Sequence, residues 1–152
     1  TAFMSLSSGT LAAHISSFEV GTYKKAHRHG AGAHVVMLDG EGYSLLWKEG
    51  EKPTRVNWRA GTIFAPPEWW YHQHFNTGDQ PARYLAVRNN NPEHPLRMGM
   101  PQIRDSGEGM TQFGMAQIDF PDEDPAIYAE YAAELAAKGL PIRQEKPKYR
   151  HA

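Results

Sequence analysis

From Leu11 to about Val87 the chain is cut into short apolar runs by turn signals at near-even intervals, and that rhythm narrows the fold more than any other feature. Ala12 to Val20 alternates in part, and His34 to Leu38 is a compact run rich in strand formers. Asp39-Gly40-Glu41-Gly42 makes a tight connection into Tyr43 to Trp47, and Glu49 to Pro53 turns the chain into Thr54 to Trp58. Arg59-Ala60-Gly61 leads into Thr62 to Ala65, which Pro66-Pro67 stops. Trp70 to Phe75 and Ala82 to Arg88 supply two more runs. Strands so spaced, with few helical patterns among them, predict an all-β sandwich or barrel.

At 152 residues the chain is long enough for one ordinary domain. Sixteen Lys and Arg oppose seventeen Asp and Glu, with no basic stripe or acidic tail, so nucleic acid and anionic membrane are not expected partners. No apolar run reaches the length of a transmembrane helix and no signal peptide is visible, which predicts a cytoplasmic protein. With no cysteine, disulfides, cysteine-ligated zinc and thiol catalysis are excluded.

The pattern changes after Arg88. Residues 1–88 read as the β core, 89–123 as an irregular extension, 124–139 as a C-terminal helix and 140–152 as a loose tail. The extension is rich in Gly, Pro, Met and Asn; Met98, Met100, Met110 and Met115 make it apolar enough to pack on something, and Ala116 to Phe120 is expected to add one edge strand. The helix is well punctuated: Asp124 as cap, Pro125 in the first turn, Gly139 just past the end, and Ile127, Tyr131 and Leu135 on one stripe.

Two histidine clusters carry the chemistry. His27, His29 and His34 lie within eight residues, and His72 and His74 follow the aromatic-rich stretch that starts at Phe64. Residues two apart on a strand share a face, so His27 and His29 can grip one ion from one strand. Neutral imidazole is the commonest protein ligand for Zn, Fe, Cu, Ni and Mn. His14 and His94 stand alone and read as structural, and Arg28 should point away from its histidine neighbours.

The spacing Gly21-x5-His27-x-His29-x4-His34-x5-Gly40 resembles the first motif of the cupin superfamily, and Gly61-x5-Pro67-x-Trp69-x2-His72-x3-Asn76 resembles the second. The resemblance implies a jelly-roll barrel of six to eight strands, one divalent metal inside and a homodimer. His27, His29, His34 and His72 are the implied ligands, with His34 in place of the usual glutamate and Trp69 in place of the usual glycine. Four neutral imidazoles would leave the ion its full charge and draw an anionic or enolate-like ligand.

His74 and Trp70 share a face with His72 by alternation and are expected to wall a pocket beside the metal, with Val36, Leu38, Phe64 and Tyr84 as weaker candidates. The expected function is a metal-dependent oxygenase, iron being the first choice and Mn, Cu, Ni or Zn the alternatives. It would activate O2 to cleave a carbon–carbon bond in a small aromatic, enolisable or alkene substrate. The alternatives are a non-catalytic metal- or ligand-binding cupin, and a lyase or isomerase using the metal as a Lewis acid.

Overall fold

The structure is a computed structural model that describes residues 1–6, 11–29, 32–89 and 115–150. Its strands, all antiparallel where they pair, are β1 (Ala2–Leu6), β2 (Leu11–Phe18), β3 (His27–His29), β4 (Ala33–Asp39), β5 (Glu41–Trp47), β6 (Thr54–Arg59), β7 (Ile63–Phe64), β8 (Tyr71–Asn76), β9 (Ala82–Asn89) and β10 (Met115–Gln117). They form two five-stranded sheets, β1-β2-β9-β4-β7 and β10-β3-β8-β5-β6. Phe18 meets Trp58 edge-on at 6.3 Å and His74 meets Tyr84 at 5.0 Å, so the two sheets face each other.

Alternation decides what lies between them. On the first sheet Ala33, Val35 and Met37 of β4 and Ala82, Tyr84 and Ala86 of β9 are buried, and they join Phe18 and Trp58 in one core. The register sets Ala12 and Ala33 on either side of Arg88, and Val35 beside Ala86. The outer face of the second sheet is covered by a second core, in which Tyr23, Tyr43 and Phe75 stack beneath helix α1 (Pro125–Ala137).

Helix α1 begins and ends where its residues dictate. The Asp124 carboxylate accepts from the Ala126 amide at 2.9 Å, Pro125 occupies the first turn, and Gly139 follows the end with φ of 66°. Tyr131 and Leu135 are buried from the expected stripe, and Tyr131 Oη donates to the carbonyls of Asn76 and Thr22 at 2.6 and 3.0 Å. Strand β10 is the added edge strand, paired with β3 from Met115↔His29 to Gln117↔His27. The tail, expected to be loose, is tied down: the amides of Arg143 and Gln144 both donate to the Gly21 carbonyl at 2.9 Å, and Arg150 pairs with Asp122 at 2.8 Å. Met98, Met100 and Met110 lie outside the described residues. No helix among those described is long and apolar enough to cross a membrane.

Candidate metal centre

Strands β3 and β8 are neighbours, and their pairing sets His27 directly opposite His72. His29, two residues along, projects to the same face. One ring nitrogen from each of His27, His29 and His72 lies within 4.8 Å of the others. The ring centres are 4.3 Å apart for His27–His72, 5.0 Å for His29–His72 and 5.9 Å for His27–His29.

Two of these rings are held in one tautomer. His27 Nδ1 lies 3.1 Å from the Lys25 carbonyl, and His72 Nδ1 lies 3.1 Å from the Trp70 carbonyl. A carbonyl only accepts, so each Nδ1 carries the hydrogen and each Nε2 presents its lone pair. Burial, above all, pushes the pKa of both imidazoles below the usual histidine value; neighbouring positive groups add to the effect. Neutral rings with free Nε2 atoms are what a borderline metal ion takes as ligands, so the residues present fit such an ion.

His34 is not brought to this group. Ala33, Val35 and Met37 take the inner face of β4, so His34, Val36 and Leu38 point outward, and His34 and Leu38 are exposed. The four-histidine expectation therefore reduces to three described ligand candidates, and Val36 and Leu38 leave the pocket for the same reason. Trp70 precedes β8, and the Lys48 ammonium sits 5.5 Å from its ring centre.

The remaining pocket candidates do converge. His74 is buried beside Phe64 at 6.0 Å and Tyr84 at 5.0 Å, with His72 5.7 Å away. Its Nδ1 is 2.7 Å from Ser44 Oγ, which also accepts from Trp58 Nε1 at 3.0 Å. The indole can only donate, so Ser44 Oγ accepts from it, and the hydroxyl's hydrogen and second lone pair let it meet His74 Nδ1 in either ring tautomer. His74 stands next to the group, outside the three histidines whose ring nitrogens converge. Ser44 and Trp58, which hold this ring, gave no signal in the sequence because each sits on a different strand.

His14, read from the sequence as structural, and Lys24, which the sequence did not single out, both lie in the interior. His14, on the inner face of β2, packs against Phe3 and Tyr84, and burial foremost, then the charge of Arg88, lowers its pKa to about 4. Lys24 crosses between the sheets, donating to Ser16 Oγ above the Phe18 and Tyr84 rings. A surface cleft of about 450 Å³ lies elsewhere, between β5, β6 and α1. Arg55 pairs there with Glu134 and Lys138 with Glu41, Arg59 also lines it, and none of the histidines does.

No protein-family model matches the chain. Over 150 residues it is 29% identical to a gentisate 1,2-dioxygenase of a Haloferax species, covering 90% of this chain and 40% of that one. An oxalate decarboxylase of Bacillus subtilis superposes with a TM-score of 0.53 at 18% identity, over 57% of this chain and 24% of the other. A cupin domain of Schizosaccharomyces pombe gives 0.52 at 15% identity, and a cupin barrel protein of Rhodopseudomonas palustris 0.50 at 20%, each over 59% of both chains. The chain thus spans well under half of the Haloferax protein and of the decarboxylase. Two facing antiparallel sheets with histidines gathered on the inner wall, and these structural likenesses, agree on one architecture: this chain has the cupin fold.

Proposed function

We propose that the chain is a metal-dependent dioxygenase, or the metal-binding part of one. His27, His29 and His72 hold one divalent transition metal, iron in the first instance. The observation that carries this reading is the convergence of three imidazoles from two paired strands, two of them fixed by backbone carbonyls with Nε2 free. The likeness to a protein named for dioxygenase activity supports it.

When bound, the ion supplies Lewis acidity and electron transfer to a chelating substrate and O2. The protein supplies the setting. Three neutral ligands leave the ion its full charge, which favours a small aromatic or enolisable substrate with an anionic oxygen. The His74 ring stands beside the group as a polar contact for an oxygen atom of that substrate, with Phe64 and Tyr84 as aromatic wall. The described histidine group contains no carboxylate, so a lyase dependent on a proton-carrying carboxylate finds none in it.

Metal content of the purified protein, counted per chain by elemental mass spectrometry, tests the reading together with O2 uptake on chelating aromatic substrates. One iron per chain is expected in the wild type. His72→Ala should lower occupancy about tenfold or more, whereas His34→Ala should leave it unchanged. A His72→Ala protein with full metal content would overturn the site, and stoichiometric iron without O2 uptake on any such substrate would overturn the activity.

A further inference from the structure

Arg28 sits between two of the three converging histidines, yet its side chain lies on the other face of β3. His27 faces His72 across β3 and β8, so one step along Arg28 comes opposite Tyr71 on the outer face. Its guanidinium carbon lies 4.5 Å from the centre of the Tyr71 ring and 5.7 Å from that of Trp69. A terminal nitrogen is 2.9 Å from the Glu49 carboxylate, and Tyr71 in turn stacks on Trp47 at 5.5 Å. Glu49 stands in water, its side chain 71% exposed, so this ion pair contributes little. The Arg28 Nε is buried and finds no acceptor among the described residues. The two aromatic faces are therefore the main hold on the guanidinium, and it on them.

Those two rings flank Trp70, whose carbonyl receives the Nδ1 hydrogen of His72. The Trp69 amide donates to the His29 carbonyl at 3.2 Å. One guanidinium thus ties the strand of His27 and His29 to the loop end that orients His72. We infer that Arg28 is a positioning residue for the metal centre. By holding Trp69 and Tyr71 it fixes the Trp70 carbonyl between them, and through that carbonyl the tautomer and direction of the His72 ring. The inference rests on the metal-centre reading only for what the three rings hold; the tautomer of His72 belongs to the chain itself. The coupling runs along the backbone at the end of β8, not through the sheet. Arg55 supplies the contrast: on the outer face of the same sheet it lies 3.7 Å from the Tyr43 ring centre and pairs with Glu134 at 2.7 Å. Its partners Tyr43, Asn57 and Glu134 adjoin none of the three histidines in sequence.

Nitrogen NMR of the histidine rings in the full chain, freed of metal by chelation, tests the assignment. Cobalt(II) affinity of the same samples, by competition with a chromophoric chelator, is the second readout. Wild-type His72 is expected to carry its hydrogen on Nδ1 alone. Arg28→Met keeps the stem and loses the guanidinium; it should mix the two His72 tautomers and weaken cobalt(II) binding about tenfold or more. Arg28→Lys keeps the charge without the planar face and should show both changes at smaller size, which makes it the variant to read if Arg28→Met does not fold. Arg55→Met should lower stability and move neither readout. A His72 already mixed in the wild type, a pure Nδ1–H tautomer retained in Arg28→Met, or an equal loss in Arg55→Met would overturn the positioning. A wild type that takes no cobalt(II) loses the metal-centre reading alone, since the ring nitrogens still decide the role of Arg28. A wild type that takes it, beside an Arg28→Met chain of unchanged tautomer and affinity, loses the positioning alone.

Discussion

At the scale of single residues, the most informative departure from the cupin pattern is Trp69, which stands where the second motif usually has glycine. Its φ is 60°, the left-handed region where a Cβ is penalised, and it is the sole non-glycine residue with positive φ among those described. Its amide donates to the His29 carbonyl at 3.2 Å, so this bend fastens the loop before β8 to the strand carrying His27 and His29. The motif position therefore still requires glycine-like backbone, and this chain tolerates the strain. Trp69→Gly and Trp69→Ala both lose the indole, but only glycine relieves the backbone. The Gly variant should exceed the Ala variant by about 1 kcal/mol in urea denaturation; equal stabilities would mean that the backbone is not left-handed there. The motif was readable because its histidines and turn residues are local in sequence. The Trp58–Ser44–His74 relay was not, because it joins β6, β5 and β8 and appears only once the register is known.

At the scale of elements, the alternation rule that sets His27 and His29 on one face of β3 also turns His34 away from the inner face of β4. Spacing from the motif put His34 at the ligand position, but β4 buries Ala33, Val35 and Met37, and a period of two leaves His34 outside. Val35 to Leu38 is apolar throughout, so hydropathy alone could not say which of these residues face inward. Caps made helix α1 legible, yet its function in the fold depends on contacts distant in sequence. Tyr131 Oη reaches the carbonyls of Asn76 and Thr22, and fastens the helix to the outer face of the sheet that carries His72 on its inner face. Tyr131→Phe should cost about 1–2 kcal/mol of stability by removing the donor to the Asn76 carbonyl, whereas the Thr22 carbonyl keeps the Asn76 amide. Metal occupancy should not change, because the helix and the histidines lie on opposite faces of β8. A Tyr131→Phe chain as stable as wild type in denaturant titration would show that this fastening contributes nothing, and a fall in metal content would show that the faces are coupled.

Across the whole molecule, the burial of several histidines gives stability a definite dependence on pH. His14 titrates near 6.5 when unfolded and at about 4 in the folded chain, with burial as the leading cause. Between those values the unfolded state binds the extra proton and the folded state does not, so stability rises with pH across the window and is lost as pH falls from about 6.5 toward 4. His27, His72 and His74 are shifted in the same direction and add to the slope in metal-free protein. The exposed pairs act lower down: Lys25 holds Asp119, and Arg55 holds Glu134, below their usual carboxylate values, so their contributions fade only under stronger acid. Each such histidine contributes at most about 1.4 kcal/mol per pH unit, less where water screens it. Urea midpoints of the chelated chain at pH 7.5 and pH 5 should therefore differ clearly, the acid sample being weaker, and His14→Gln should flatten part of that difference. Identical slopes in wild type and His14→Gln would show that His14 is not buried away from protons. A wild type equally stable at both values would deny that burial holds these imidazoles neutral in the folded chain.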